Sequence, residues 1–226
     1  IIKELELCTE PEANVILTMA QRHLNAIEST SAGRLFDAVS AILGIQKRST
    51  FEGEASMALE FAAEAWQKEH EVKNTENTKN AKNAENVKNA GNAPNAKNNE
   101  NIDVKEQEHI FMQTNAIVWR MIEGRRQGED VGKLAYEFHQ LLAMEICAAC
   151  ENVRTQKKCN QVALSGGVFQ NRLLLELVEK ELLNRKFQVL RHHLIPPNDG
   201  GIGLGQAVYG MAYLNKKKQT DSKNVK

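Results

Sequence analysis

Apolar positions recur at helical spacing along most of the chain. Residues 12 to 26 and 33 to 44 predict two helices. In the second, Leu35, Phe36, Val39, Ile42 and Leu43 share one face, and Gly44 stands where a helix C-cap belongs. Glu54 to Trp66, rich in Ala, Leu and Glu, predicts a third. After a long polar stretch the pattern returns near Val104. It predicts a helix over 105 to 126, with Ile110, Ala116, Ile117, Trp119 and Met121 among its apolar positions. Gly128-Glu-Asp breaks that helix, and Val131 to Arg154 predicts another, apolar at 131, 135, 138, 142, 146, 149 and 153. Then the period changes. Val162 to Leu164 reads as a short apolar strand running into Gly166-Gly167. A helix opens at Asn171 and places Leu174, Leu177, Val178 and Leu182 on one face. A second strand, Phe187 to Arg191, leads through a polar loop into a helix from about Ile202. Two strand–glycine-loop–helix units in succession predict a nucleotide-handling lobe; an ordinary pair of αβ turns is the alternative. Glycine at a strand end removes the Cβ, so backbone can lie against a ligand. The helix that follows opens with N–H groups that have no partner inside the helix.

The polar stretch has its own pattern. From Asn74 to Asn101 an asparagine falls at every third position, with Lys, Glu, Ala and Thr between. No apolar period is present, so burial has nothing to set against the entropy of ordering, and a disordered Asn-rich insertion is expected. The chain divides accordingly into a helical part (1–72), the low-complexity insertion (73–103), the remainder with the αβ units (104–215) and a basic, frayed tail (216–226). Basic and acidic residues balance at 29 each, so no broad field favours nucleic acid. No apolar run approaches the roughly 20 residues that a membrane span requires. A cytoplasmic protein without a disulfide scaffold is expected from four cysteines in 226 residues. The opening run Ile1-Ile-Lys-Glu-Leu-Glu-Leu7 reads as the middle of a longer polypeptide.

Several residues carry candidate chemistry. Asp199 lies in the Pro-Pro-Asn-Asp-Gly-Gly loop after the second strand, where open α/β sheets place ligands, and its carboxylate suits a hard or borderline metal ion. The structural alternative is an Asx-turn that caps the next helix. Ser31-Ala-Gly-Arg-Leu-Phe-Asp37 puts Gly33, Arg34 and Asp37 at a helix start. Backbone amides and Arg34 can hold a phosphate there, with Asp37 orienting Arg34, or the set is a capped helix with an i,i+3 ion pair. Glu52 and Glu54 suit a ribose, or the first turn of a helix. Asn171 suits a nucleotide or acyl group, or a plain N-cap. His192 and His193 point to opposite faces of an extended segment and cannot easily share one ion. His139 reads as a partly buried packing residue. Cys147 and Cys150 read as small helix residues, since no second pair stands at zinc-site spacing.

Three blocks carry a family resemblance: Ser31 to Val39 with Phe51-Glu-Gly-Glu-Ala55, Ser165-Gly-Gly-Val-Phe-Gln-Asn171, and Asn198-Asp-Gly-Gly-Ile-Gly-Leu-Gly-Gln206. In this order they resemble the end of the transferase domain of the hydrogenase-maturation carbamoyltransferases, the HypF family, within the actin and sugar-kinase superfamily. The resemblance implies an α/β fold, the C-terminal lobe of an actin-like ATPase (ribonuclease-H-like) fold with extra helices. It implies nucleotide or acyl-adenylate contacts from Gly33, Arg34, Asp37, Gly44, Glu54, Gly166, Gly167 and Asn171. It also implies ATP, held as carbamoyl-adenylate made from carbamoyl phosphate, and a divalent zinc or iron partly liganded by Asp199. The His-x-x-x-His helix that completes this site in similar proteins does not occur in the sequence. The implied reaction passes the carbamoyl group to the C-terminal cysteine of a HypE-type partner. A sugar-kinase lobe, a small-molecule O-carbamoyltransferase and a non-catalytic nucleotide-binding or interaction lobe are the alternatives. Pro196-Pro-Asn-Asp-Gly-Gly201 counts against the first.

Overall fold

A computed structural model of the chain describes residues 1–80 and 112–223, with side chains over 1–71 and 112–214. Seven α-helices and two strands lie in the described residues. Helix α1, Glu10–Gln21, starts two residues earlier than its apolar pattern, because Thr9 and Glu12 form a reciprocal capping box with Pro at the first turn. It buries only Ala13 and leaves Val15, Ile16 and Leu17 exposed. Helix α2, Ala32–Ile42, buries Phe36, Val39 and Ile42 as its periodicity requires. It stops at Gly44, whose φ of +76° is the left-handed conformation that glycine adopts without Cβ strain.

Helix α3, Glu54–Asn80, runs past Trp66, where its apolar pattern ends, and into the triplet-Asn run. Most of the expected 73–103 insertion lies outside the described residues. Helix α4, Thr114–Arg126, begins later than the expected residue 105, residues 105 to 111 again lying outside the description. It buries Ile117 and Met121, whereas Trp119 is exposed. Helix α5, Val131–Lys157, is capped by Asp130, whose side chain accepts from Lys133 N. It packs against α3, α4 and α6 and is the central element of the core. Its buried stripe is Leu134, Ala135, Phe138, His139, Leu142, Ala143 and Cys147. Fully burying each large apolar side chain contributes about 1.5 to 3 kcal/mol. Where α4 crosses α5, Gly124 makes the approach possible: a Cβ there would sit 2.5 Å from Leu134 Cδ2. Arg120 joins the same helices by hydrogen bonds to Glu129 and Glu137.

Strand β1, Gln161–Leu164, pairs in parallel with β2, Gln188–Arg191, in the register Val162↔Val189 and Leu164↔Arg191. Helix α6, Arg172–Asn184, connects them and buries Leu173, Leu174, Val178 and Leu182 against α5. Helix α7, Ile202–Lys223, continues into the expected 216–226 tail, whose last three residues lie outside the described residues. It leaves Leu204, Val208, Met211 and Leu214 more than half exposed. The result is an α/β lobe with extra helices, as expected, whose sheet has two strands among the described residues.

Candidate functional site

The two glycine loops leave the same end of the two parallel strands, and hydrogen bonds tie them together. After Leu164 the chain passes Ser165 and turns at Gly166, whose φ of +101° excludes ordinary side chains. Gly166 N donates to Pro197 O at 2.8 Å, joining the first loop to the second. Ser165 Oγ lies 2.9 Å from His192 Nε2 across the same gap. A single 3-10 turn, Gly167–Gln170, then delivers Asn171 to the start of α6. A Cβ built on Gly166 or Gly167 would meet nothing within 4 Å, so one face of this turn is open.

The second loop is tight for a different reason. Added Cβ atoms at Gly200 and Gly201 would lie 3.1 Å from Asn198 Oδ1 and 3.0 Å from Ile195 Cγ2. Asn198 Oδ1 accepts from Gly200 N at 3.1 Å, so Asn198, and not Asp199, supplies the Asx-turn. Asp199 is exposed; its backbone carbonyl accepts from Ile202 N, but its carboxylate makes no hydrogen bond or ion pair among the described residues.

The expectation of unpaired N–H groups at the start of α6 is overturned. Asn171 Oδ1 accepts from Leu174 N at 2.7 Å. Glu60, reaching across from α3, accepts from Arg172 N at 2.6 Å and from Leu173 N at 3.3 Å. With Asn171 N bonded to Val168 O at 3.1 Å, all four donors that open the helix are satisfied inside the protein, and no anion need bind them. Burial pushes the Glu60 carboxyl above its ordinary range, against the pull of those two N–H groups. Asn171 is further occupied: its Nδ2 lies 3.0 Å from His139 Nε2.

The α2 set is arranged less like a phosphate clamp than its sequence suggests. Arg34 is 80% exposed and 3.6 Å from the Asp37 carboxylate. Asp37 also accepts from Ser56 Oγ at 3.1 Å, joining α2 to α3. Gly33 has ordinary room for a Cβ, so sterics do not require glycine there. Gly44 lies beside the Arg125 guanidinium, 3.4 Å from an added Cβ. Glu54 turns back to accept from Thr50 N and Thr50 Oγ1, closing the start of its own helix, as the first-turn reading foresaw. The two sets are nevertheless neighbours, since α2 packs against the Gly167–Gln170 turn. Phe36 meets His139 edge-on at 5.4 Å between ring centroids.

Glu60 and His139 are the residues that sequence reasoning missed or misjudged. Glu60 lies next to the buried Ala55, Leu59 and Ala63 stripe of α3, and an acid at the edge of such a stripe is its only signal. His139 is fully buried, not partly so, and both ring nitrogens are bonded. Burial holds its pKa down at about 4, so the ring is neutral. Cys147 is buried among apolar residues, its thiol pushed up to about 11 by burial. No three His, Cys, Asp or Glu side chains among the described residues form a group able to hold a metal. Asp199 alone does not fit a complete metal site. A groove of about 660 Å³ lined by Leu7, Cys8, Ala13, Lys47 and Arg48 shares no residue with the glycine loops. No helix among the described residues is long and apolar enough to cross a membrane.

Residues 2–206 match the family model described as the carbamoyltransferase Kae1-like domain, second subdomain. The carbamoyltransferase HypF of Rhodobacter capsulatus is 31% identical over 87% of the chain and 21% of its own length. A Methanocaldococcus jannaschii protein named as a probable carbamoyltransferase HypF is 26% identical over 95% of the chain. A crystal structure of full-length HypF in its phosphate- and nucleotide-bound form superposes with a TM-score of 0.70 at 26% identity, over 94% of this chain and 24% of that one. The chain therefore spans about a quarter or less of the length of these proteins. Order of motifs, fold and near-complete coverage agree: the chain belongs to the HypF family of carbamoyltransferases, as part of their Kae1-like transferase domain.

Proposed function

We propose that this lobe, acting within a polypeptide of its relatives' length, holds carbamoyl-adenylate and passes the carbamoyl group to a cysteine thiol. The observation that carries the reading is the pair of glycine loops. They leave one end of a parallel sheet, are bonded to each other through Gly166 N and Pro197 O, and keep open space over Gly166 and Gly167. Family membership supplies the reaction class. The acceptor we propose is the C-terminal cysteine of a HypE-type partner in hydrogenase maturation. Its thiolate sulfur attacks the carbamoyl carbon, the carbon–oxygen bond to AMP breaks, and AMP leaves with the electron pair. The nucleophile belongs to the partner, so no side chain of this chain needs that role. What the lobe contributes is position: backbone without Cβ against the adenylate, and a turn fixed before the ligand arrives. From the α2 region we propose Gly33, Arg34, Asp37 and Gly44 as further adenylate contacts, with the exposed Arg34, beside Asp37, as the cation that meets a phosphate. Glu54 and Asn171 would act less directly, given their internal bonds. Asp199 would give one oxygen ligand to a divalent metal whose other ligands come from elsewhere in the longer polypeptide. No step here is routed through it.

The test uses Gly167, where the free fold has room for a side chain. Gly167→Val in the full-length protein should keep its melting temperature yet lose ATP binding in calorimetry. Unchanged ATP affinity in a folded variant would refute the reading. Asn171→Ala is a poorer probe than its sequence context suggests, because it removes the cap of α6 and the contact to His139 together.

A further inference from the structure

We propose that His139 is a positioning residue: it fixes the orientation of the Asn171 amide and thereby holds the glycine turn, Gly166–Gln170, ready for the adenylate. The inference rests on the nucleotide reading for its functional half only. His139 Nδ1 lies 2.7 Å from Ala135 O, and a carbonyl only accepts, so Nδ1 carries the proton. In the neutral ring Nε2 then has a lone pair, and its partner at 3.0 Å must donate. Asn171 meets that demand with Nδ2, while its Oδ1 faces Leu174 N. Rotating the amide by half a turn would set oxygen against the Nε2 lone pair and NH2 against the Leu174 N–H. Both contacts would become repulsive, so only one orientation satisfies the four groups.

The imidazole sits where three segments meet. Phe36 of α2 packs edge-on against it, Phe138 flanks it at 5.6 Å, and Asn171 ends the glycine turn. The other charged groups nearby are carboxylates of α3: Glu64, which acts on the ring through space, and Glu60, which binds the adjacent N–H groups of α6. The turn is therefore pinned at both ends: at Gly166 through Pro197 and at Asn171 through His139. Neither anchor is a ligand contact, so the turn holds its shape without the adenylate.

Three variants in the full-length protein test this. His139→Leu keeps the volume and removes the acceptor. It should speed amide exchange at residues 168 to 174 and weaken ATP binding about five- to tenfold, the factor expected for one net hydrogen bond. His139→Gln, which offers a carbonyl acceptor, should recover part of both effects. Asn171→Asp keeps the cap but puts an oxygen against Nε2, so His139 should become protonated at neutral pH, read from its ring-nitrogen chemical shifts. That last readout needs neither activity nor a tolerated cavity, and a merely packed histidine would not move. A ring that stays neutral in Asn171→Asp overturns the proposal. So does unchanged exchange and affinity in His139→Leu. Absent ATP binding by the wild-type protein would defeat the nucleotide reading alone and leave the exchange and titration results to decide the His139 assignment.

Discussion

Replacing Glu60 tests the claim that α3 caps α6 across 112 residues of sequence. Glu60→Ala removes the acceptor for Arg172 N and Leu173 N, which lie 2.6 and 3.3 Å from Oε1. Leu173 is buried, so water reaches its N–H poorly and that donor is left unsatisfied. A hydrogen bond to a charged group contributes about 1.5 to 3 kcal/mol, and an orphaned buried donor costs about 1 to 3 kcal/mol. Relief from burying the carboxylate offsets part of this, so a net loss of about 2 to 3 kcal/mol is expected. For a chain of this size that lowers the melting temperature by roughly 4 to 12 °C. Glu60→Gln keeps a carbonyl acceptor without the charge and should lose less than about 1 kcal/mol at neutral pH. The raised pKa gives a further sign. The folded state binds a proton at Glu60 more readily than the unfolded state, so its contribution is greatest in acid and is lost as pH rises through the folded pKa. Wild type should therefore gain on Glu60→Gln as pH falls. Denaturant titration gives the energies, and amide exchange at Arg172 and Leu173 locates them. Glu60→Ala within about 0.5 kcal/mol of wild type, with both amides still protected, would refute the cap.

His139 titrates at about 4 when folded against 6.5 for an ordinary histidine. As pH falls the unfolded chain takes the proton first, so the His139 contribution should fall by about 3 kcal/mol between pH 6.5 and 4 and level below, measured against His139→Gln. Gly124→Ala should destabilise the fold by about 1 to 3 kcal/mol in thermal unfolding, because the new methyl collides with Leu134 at the α4–α5 crossing. Gly166→Ala should cost about 1 to 3 kcal/mol from the φ of +101° alone, without a steric clash, whereas Gly167→Ala should be nearly neutral in the same melts. Asp199→Ala should leave stability unchanged, since the Asp199 carboxylate has no partner among the described residues and the alanine keeps the backbone carbonyl that accepts from Ile202 N. In the full-length protein it should lower bound metal by elemental analysis, and unchanged metal content would return Asp199 to a surface role.

Local order was legible where a single segment decides it. The face of α2 follows from Phe36, Val39 and Ile42 at i, i+3 and i+6, and α6 from Leu174, Val178 and Leu182 at i, i+4 and i+8. Both strands lie within a residue of their expected bounds, because the switch from helical to strand period is sharp and glycine closes each loop. Helix ends were misread where side chains rather than apolar spacing set them, as at the Thr9–Glu12 box of α1. The α3 terminus escaped because the sequence after Trp66 carries no apolar period to mark it. At the candidate site, the positions of Gly166, Gly167, Asn171 and Asp199 were readable, but not their employment. Gly166 is set by Pro197, Asn171 by His139 and the first turn of α6 by Glu60, partners far away in sequence, while Gly167 and the Asp199 carboxylate stay unengaged. No local pattern encodes such a pairing.

Stability alone does not account for a histidine at position 139. A leucine would fill the space between Phe36 and Phe138 and bring no desolvation cost, whereas an imidazole must bond both nitrogens to break even. Here both are bonded, one to its own helix and one to the residue that ends the glycine turn. The same logic holds for Glu60, a carboxylate held where burial disfavours its charge. Both polar groups converge on the first turn of α6, which is the element that orients the loop. The outer faces of α7 and β2 make the opposite choice, carrying exposed Leu190, Leu204, Val208 and Tyr209 with no such partners. Polar specificity is thus spent on the inner anchor of the glycine turn. The open side of that turn is kept clear of internal bonds, which is the division that the proposed nucleotide site requires.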